Sequence, residues 1–385
     1  MREKDRKALD ALARARPGEL DPERLAGSPR QHSDLAELMA GQPAWTTARV
    51  TPRRRMLVPA VGIAAAAAVV ISGIAVGVAR DQGTQVSAAG PDGHLVLLSM
   101  ANSVQNQASS GPYWQIATQS RYLTLVPASG TGDSKPYVLA QTSQSNWSIG
   151  VLPGEQSVQV DGINDTSGPW TTLDTDRWIS AGSPATVGVD EGGGIKKGML
   201  VQPVGGGKPS VLDTDSGQAI VALGSKNVTY TDLRQLPGDQ AELSKMLIRL
   251  WNDEGGAREN NQASWMFTQV GNLITYPVSN TVRASAYRIL AGLPGITSLG
   301  AVTDPLGRGG VGVALPAQQY NDLGVEQQQL IVDPASSTIL AQQTVLLTPS
   351  ALASDAGMKA GTVLYYTATT HIGWTDQQAA IPTSH

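Results

Sequence analysis

The sequence predicts a single-pass membrane protein with an α+β extracytoplasmic domain, an antiparallel β-meander or half-barrel packed on helices. Three observations carry this expectation. Met56–Ala79 is a run of 24 residues without a charge. Three arginines, Arg53, Arg54 and Arg55, abut its amino end. The stretch 296–374 alternates β-branched segments with Pro/Gly turns, and three helical stripes precede it.

The apolar run sets the topology. At about 1.5 Å per residue it makes a helix of roughly 36 Å, enough to cross a hydrocarbon core of about 30 Å. Residues 1–55 hold 12 Lys/Arg and 8 Asp/Glu, whereas the rest of the chain holds 16 and 24. With only Arg80, paired with Asp81, at the far end, the positive-inside rule puts the leader in the cytoplasm and the acidic remainder outside. The expected division is a leader at 1–55, partly helical or disordered, a transmembrane helix at 56–79, a juxtamembrane linker and short helix at 80–110, and an extracytoplasmic domain at 111–385. The leader is too long for a signal peptide, although Val86–Ala88 offers small residues for cleavage. Gly73 and Gly77 place small residues four apart, a candidate helix–helix contact. The leader itself has little apolar bulk and is a candidate docking segment for a cytosolic partner.

In the outer part, Leu95–Val104 fits a short helix and Tyr113–Val126 a strand rich in aromatic and β-branched residues. Tyr137–Thr142 and Ser145–Val151 continue antiparallel to it. Gly and Pro stud 152–230, where loops are expected to dominate around short strands at Val211–Leu212 and Ala219–Leu223. Asp239 and Glu242 have the spacing of a helix start before Leu243, Met246, Leu247, Leu250 and Trp251. Further stripes follow at Met266, Val270, Leu273 and Ile274, then at Val278, Val282, Ala286 and Ile289, ended by Gly292 and Pro294. Ile296–Thr303 with Gly310–Leu315, Gln327–Val332 with Thr338–Leu347, and Val363–Trp374 make a meander of about five strands with helices available for one face.

The chemistry-bearing residues exclude much. Cys is absent and there are four His, so thiolate metal sites, iron–sulfur clusters and a cysteine nucleophile are excluded, and a His-rich metal site is disfavoured. No metal, cofactor or catalytic residue is expected. Gly205-Gly-Gly-Lys208 lacks the Ser/Thr and leading Gly of a phosphate loop and reads as a loop. Asp174-Thr-Asp176 and Asp213-Thr-Asp215 have paired carboxylates but no closing Glu, and read as turns rather than calcium loops. The acidic outer part disfavours nucleic acid. Phe267 is the single phenylalanine, so tryptophan and tyrosine must supply the core's aromatic bulk. Trp114, Trp147 and Trp265 are alternatively candidates to line a cavity for an acyl chain or hydrophobic peptide.

The leader's ARPGELDP, the arginine-flanked span, and the segments AYRILAGLPGITSLGAVTDPLGRGGVGVAL (286–315) and LIVDPASSTILAQQ (330–343) before Gly373-Trp374 together resemble a family of uncharacterised actinobacterial single-pass envelope proteins. Some members look like products of genes near extracytoplasmic-function sigma factors. More distantly, the outer domain is similar to the lipoprotein-carrier fold of LolA-type carriers and RseB-type sensors. That resemblance implies a curved antiparallel sheet wrapping apolar helices around a hydrophobic cavity. The family brings no catalytic residues, and the leader lacks the metal-ligand pattern of sigma-binding domains. The expectation is therefore a membrane-anchored, non-catalytic binding or sensing module for a lipid-like or protein ligand, linked to envelope-stress or sigma-factor signalling. The alternatives are an envelope hydrolase with an unrecognised carboxylate site, and an anti-sigma-like regulator acting through the leader.

Overall fold

The computed structural model describes residues 92–381, except 108–109, 128–134, 190–199, 216, 255–260 and 322. Arg53, Arg54, Arg55, Gly73, Gly77 and the whole apolar run lie outside the described residues. Among the described residues no helix is long and apolar enough to cross a membrane.

The described chain is an antiparallel sheet with helices, an α+β arrangement. Helix α1 (Gly93–Ser103) comes first, capped by the Asp92 side chain, and a 3-10 turn Val104–Asn106 follows it. Three long strands come next: β1 (Tyr113–Val126), β2 (Tyr137–Gly150) and β3 (Ser157–Pro169). Then come α2 (Thr172–Ser180), β4 (Thr186–Val189), β5 (Leu200–Pro203), β6 (Ser210–Thr214), β7 (Val221–Leu223), β8 (Lys226–Val228) and α3 (Tyr230–Arg234). The helical block is α4 (Gln240–Asp253), α5 (Gln262–Thr275) and α6 (Asn280–Ala291). The chain closes with β9 (Thr297–Thr303), β10 (Gly309–Ala314), β11 (Gln318–Asn321), β12 (Gly324–Asp333), β13 (Thr338–Pro349), α7 (Ala351–Asp355) and β14 (Val363–Thr375). The main sheet runs β6-β3-β2-β1-β14-β13-β12-β10-β9, with β11 beside β12.

Several expectations are corrected here. The five strands expected in 296–374 are present as β9, β10, β12, β13 and β14, and β11 with β1, β2, β3 and β6 extends them to a ten-stranded sheet. The stretch 152–230 is not mostly loop, since it contains the 13-residue β3 and helix α2. The Asx pair at Asp174 is not a turn: Asp174 is the third residue of α2 and closes a capping box with Thr171. Its other oxygen accepts the Val138 amide at 2.7 Å, so the buried carboxylate is occupied by the fold. Helix α1 is also more than a linker helix. Leu97, Met100, Ala101 and Val104 are in the main apolar core, so α1 and the turn after it pack with the sheet and the helical block.

Strand alternation places the core. Residues two apart share a face, and the β1–β2 register puts Trp114 with Ile149 and Ile116 with Trp147 on one of them. That face, with Val311, Val313, Leu330, Val332 and Ile339 further along the sheet, packs on α1 and the helical block. Fully burying each Leu, Val or Ile contributes about 1.5–3 kcal/mol. The opposite face carries smaller apolar patches. One gathers Leu123, Val138 and Leu364 under Ala353, Ala356 and Met358.

A buried cation fixes the helical block to the sheet. Arg283 of α6 donates from Nε to the Ile274 carbonyl (2.9 Å) and from Nη2 to that of Tyr276 (2.8 Å), both at the carboxyl end of α5. Its guanidinium lies 4.9 Å from the Trp114 ring centroid, and the Trp114 indole N–H donates to the Thr275 carbonyl at 2.8 Å. The negative end of the helix dipole and the aromatic face offset the loss of water around the charge. Burial still lowers the Arg283 pKa to about 10.

Trp114→Phe keeps an aromatic ring but deletes the indole donor, leaving the buried Thr275 carbonyl without its Trp114 bond. The variant is expected to lose about 1–3 kcal/mol of unfolding free energy, measured by chemical denaturation.

Candidate functional site

The face that begins at Trp114 and Ile116 does not stay apolar. Continuing the same alternation along β1 gives Thr118, Ser120 and Tyr122, and the register brings like residues beside them. Thr118 sits between Thr369 and Ser145, and Ser145 in turn lies opposite Asp161. Ser120 sits between Thr367 and Ser143, with Gln342 beyond Thr367. Tyr122 sits between Tyr365 and Gln141, with Thr344 beyond Tyr365. Three polar rows thus cross the sheet, neighbours about 4.8 Å apart across strands and rows about 7 Å apart along them.

Bulges produce this phase. β14 carries one extra residue between the partners of Ala117 and Thr118, so Thr369 rather than Thr370 joins the first row. β3 is broken opposite Ser143, where Gly162 (φ 77°) and Asn164 (φ 53°) take left-handed backbone and let the register slip. The register slips by one residue at each of two steps, and without these Ile163 rather than Asp161 would lie opposite Ser145.

The rows lie between two apolar walls. On one side stand Ile116 and Trp147 under the helices; on the other, Val126, Tyr137 and Leu139 pack with Val187, Trp178 and Val204. Helix α5 closes the β13 side. Its backbone at Gly271 rests so close to Gln342 that an added Cβ would meet Nε2 at 3.0 Å, and Ser264 Oγ donates to Gln328 Oε1 at 2.7 Å. The hydroxyl-bearing stretch of small Ser and Thr side chains between these bulky walls is termed the groove. Thr118, Thr367 and Thr369 form its buried base, while Ser120, Tyr122, Gln141, Ser143, Ser145, Asp161 and Tyr365 keep accessible surface.

The groove is internally bonded but not saturated. Ser120 and Thr367 hydroxyls are 3.2 Å apart, and the Tyr365 hydroxyl bonds to that of Thr367. The Tyr122 and Tyr365 rings are 4.5 Å apart between centroids. Burial pushes both phenol pKa values up, so both stay protonated donors. Asp161 accepts the Gln159 side-chain amide at 2.7 Å. Among the described residues no cation pairs with it, and burial raises its pKa. The next acid along β3, Asp165, is taken up by Gln141 Nε2 (3.2 Å) and the Gly207 amide (2.9 Å). Such a surface can donate to and accept from hydroxyl and amide groups, with Asp161 as a strong acceptor.

The three tryptophans singled out from the sequence lie in the main apolar core. Trp114 and Trp147 are each 5 % exposed, and Trp265 is 8 %. Trp147 stands edge-on to Tyr276, with 6.3 Å between centroids, and Trp114 edge-on to Trp374 at 5.0 Å. Strand register brings Trp114 and Trp147 to neighbouring strands at the helical end of the groove, while Trp265 is on α5. The glycine loop at 205–207 is tied to β3 through the Ser167–Gly205 bridge and the Gly207 bond. Among the described residues no group of three or more His, Asp or Glu could hold a metal ion. Sequence reasoning missed the groove and Asp161. The signal was present: Thr118, Ser120 and Tyr122 continue the buried phase set by Trp114 and Ile116 with polar residues, which a face meant only for packing would not carry.

Comparison with protein-family models, curated proteins and solved structures gave no match.

A desolvated carboxylate without a cation opposes folding when charged. Its folded pKa is raised, so its favourable contribution is complete below the usual carboxylate pKa near 4 and is lost as pH rises through the raised value. Asp161→Asn is therefore expected to raise Tm at pH 7 relative to the parent. The gain should shrink to nothing as the pH falls below about 4, which a pH series of thermal melts checks.

Proposed function

We propose that the chain is a membrane-tethered, non-catalytic extracytoplasmic binding module that takes its ligand in the groove above β14, β1, β2 and β3. The observation that carries the reading is the set of hydroxyl rows ending at Asp161, a carboxylate largely removed from water that pairs with no cation among the described residues. Groups that lower stability without a structural return are characteristic of sites held for a ligand. Tethering rests on the Met56–Ala79 run and its arginine flank, and export rests on the charge asymmetry around it.

The ligand this groove suits bears hydroxyl and amide groups, as the saccharides of a cell envelope do. Hydroxyl and carboxylate side chains match such groups one for one, and stacked Tyr122 and Tyr365 supply aromatic surface. An acyl chain would leave the rows unpaired in a site it had stripped of water, at about 1–3 kcal/mol for each buried polar group. Trp114, Trp147 and Trp265 spend their surface on core contacts, which moves the reading from a lipid-like ligand to a polar one. Hydrolysis by two carboxylates draws no support from the groove, since Asp165 is bonded to the Gly205–Gly207 loop rather than converging on Asp161. A link to envelope signalling remains part of the proposal through the leader alone.

Full-length protein in detergent, titrated with solubilised cell-wall saccharide fragments and separately with long-chain lipid extract, tests this reading. The saccharides are expected to raise Tm, and Asp161→Asn to abolish that shift while Trp114→Phe keeps it. A shift with lipid alone, or one indifferent to Asp161, would retire the groove as the ligand site.

A further inference from the structure

The other face of the same strands carries an unused charge. Arg121 of β1 lies directly opposite Thr142 on β2 and Tyr366 on β14, and the row continues to Gln343 and Gln329. Its guanidinium stands 5.1 Å from the Tyr366 ring centroid. Among the described residues one hydrogen bond holds it, a long one of 3.4 Å from Nη2 to the Val363 carbonyl. Its Nε is buried without a partner, and among the described residues no carboxylate forms an ion pair with it. Yet the residue as a whole keeps accessible surface.

Among the described residues its neighbours in the row supply no negative charge either. Gln119 donates to the Tyr366 hydroxyl at 3.1 Å, and Gln343 donates to Gln329 at 2.8 Å. This is a neutral amide and hydroxyl band with one cation set into it. Arg283, the other cation stacked on an aromatic ring, shows what a structural arginine looks like in this fold: two short bonds to helix-end carbonyls and full burial. Arg121 has neither. Aromatic stacking orients a guanidinium and leaves its edge free for a planar or tetrahedral oxyanion.

We infer that Arg121 is the anion-recognition residue of a second binding site, on the sheet face opposite the groove, which takes a carboxylate or phosphate group. Thr142 and the amides of the band complete the site as neutral hydrogen-bonding partners. The inference does not rest on the groove, from which the sheet separates it. It adds an acidic group, free or borne on a polymer, to the chemistry the domain can recognise.

Two ligand arms distinguish the source of the anion: inorganic phosphate, and the carboxylated polymer polygalacturonate, each titrated by calorimetry into full-length protein in detergent at low salt. Binding is expected in at least one arm and should weaken at least tenfold in Arg121→Gln. Binding only in the phosphate arm points to a free anion, and binding in the polymer arm to a glycan-borne one; both support the site. Thr142→Glu leaves Arg121 in place and sets a carboxylate directly across from it, so it should block the same binding. No binding in either arm, or affinity unchanged in both Arg121→Gln and Thr142→Glu, overturns the inference.

Discussion

Pairing of the first and last strands, β1 with β14, is the constraint from which both candidate sites follow. It joins the amino-terminal strands to the carboxyl-terminal meander in the middle of one sheet, over a separation of some 250 residues. Every row of the groove crosses this seam, and so does the contact between Arg121 and Tyr366. Pairing over such distances is slow to form because loop closure precedes any gain from the contacts. Once formed, it holds side chains from distant segments within a few ångströms. The bulge in β14 at this seam then sets which hydroxyls share a row.

The seam also divides labour along its length. At one end Trp114 and Trp374 meet under the helices, and Arg283 and the Trp114 indole bind the end of α5 to the sheet. This end is rigid, dry and costly to disturb, as expected of a core that must hold a groove in shape. Four residues beyond Trp114, at Thr118, the same face becomes hydroxylated. A ligand site next to a stiff apolar anchor loses little entropy on binding, because its side chains are already ordered.

Much of this was legible in the sequence, and the rest was hidden for physical reasons. Tyr113–Val126, the three helical stripes and the closing hairpins follow from periodicity and turn residues, and the Asp239 cap is where its spacing put it. Strand β3 was hidden because SVQVDGINDTSGP is rich in turn formers; its glycine and asparagine serve bulges inside a strand rather than a turn. Helix α2 was hidden because nine residues show little periodicity, and its capping box was taken for a pair of turn carboxylates. The tryptophans are the largest side chains in the sequence, and such bulk serves packing first. Asp161 offered no motif at all. Its place depends on a register slip that only the folded sheet defines.

The central claim is that the strand middles, and not the tryptophan-lined end, form the ligand surface. Methyl- and hydroxyl-resolved NMR of the labelled protein with saturating saccharide tests it most directly. The account expects perturbations centred on Thr118, Thr367 and Thr369, with Ile116 at the margin and Val270 and Leu273 of α5 unmoved. Perturbations confined to the α5 methyls and the tryptophan indoles, with the threonines unchanged, would contradict it.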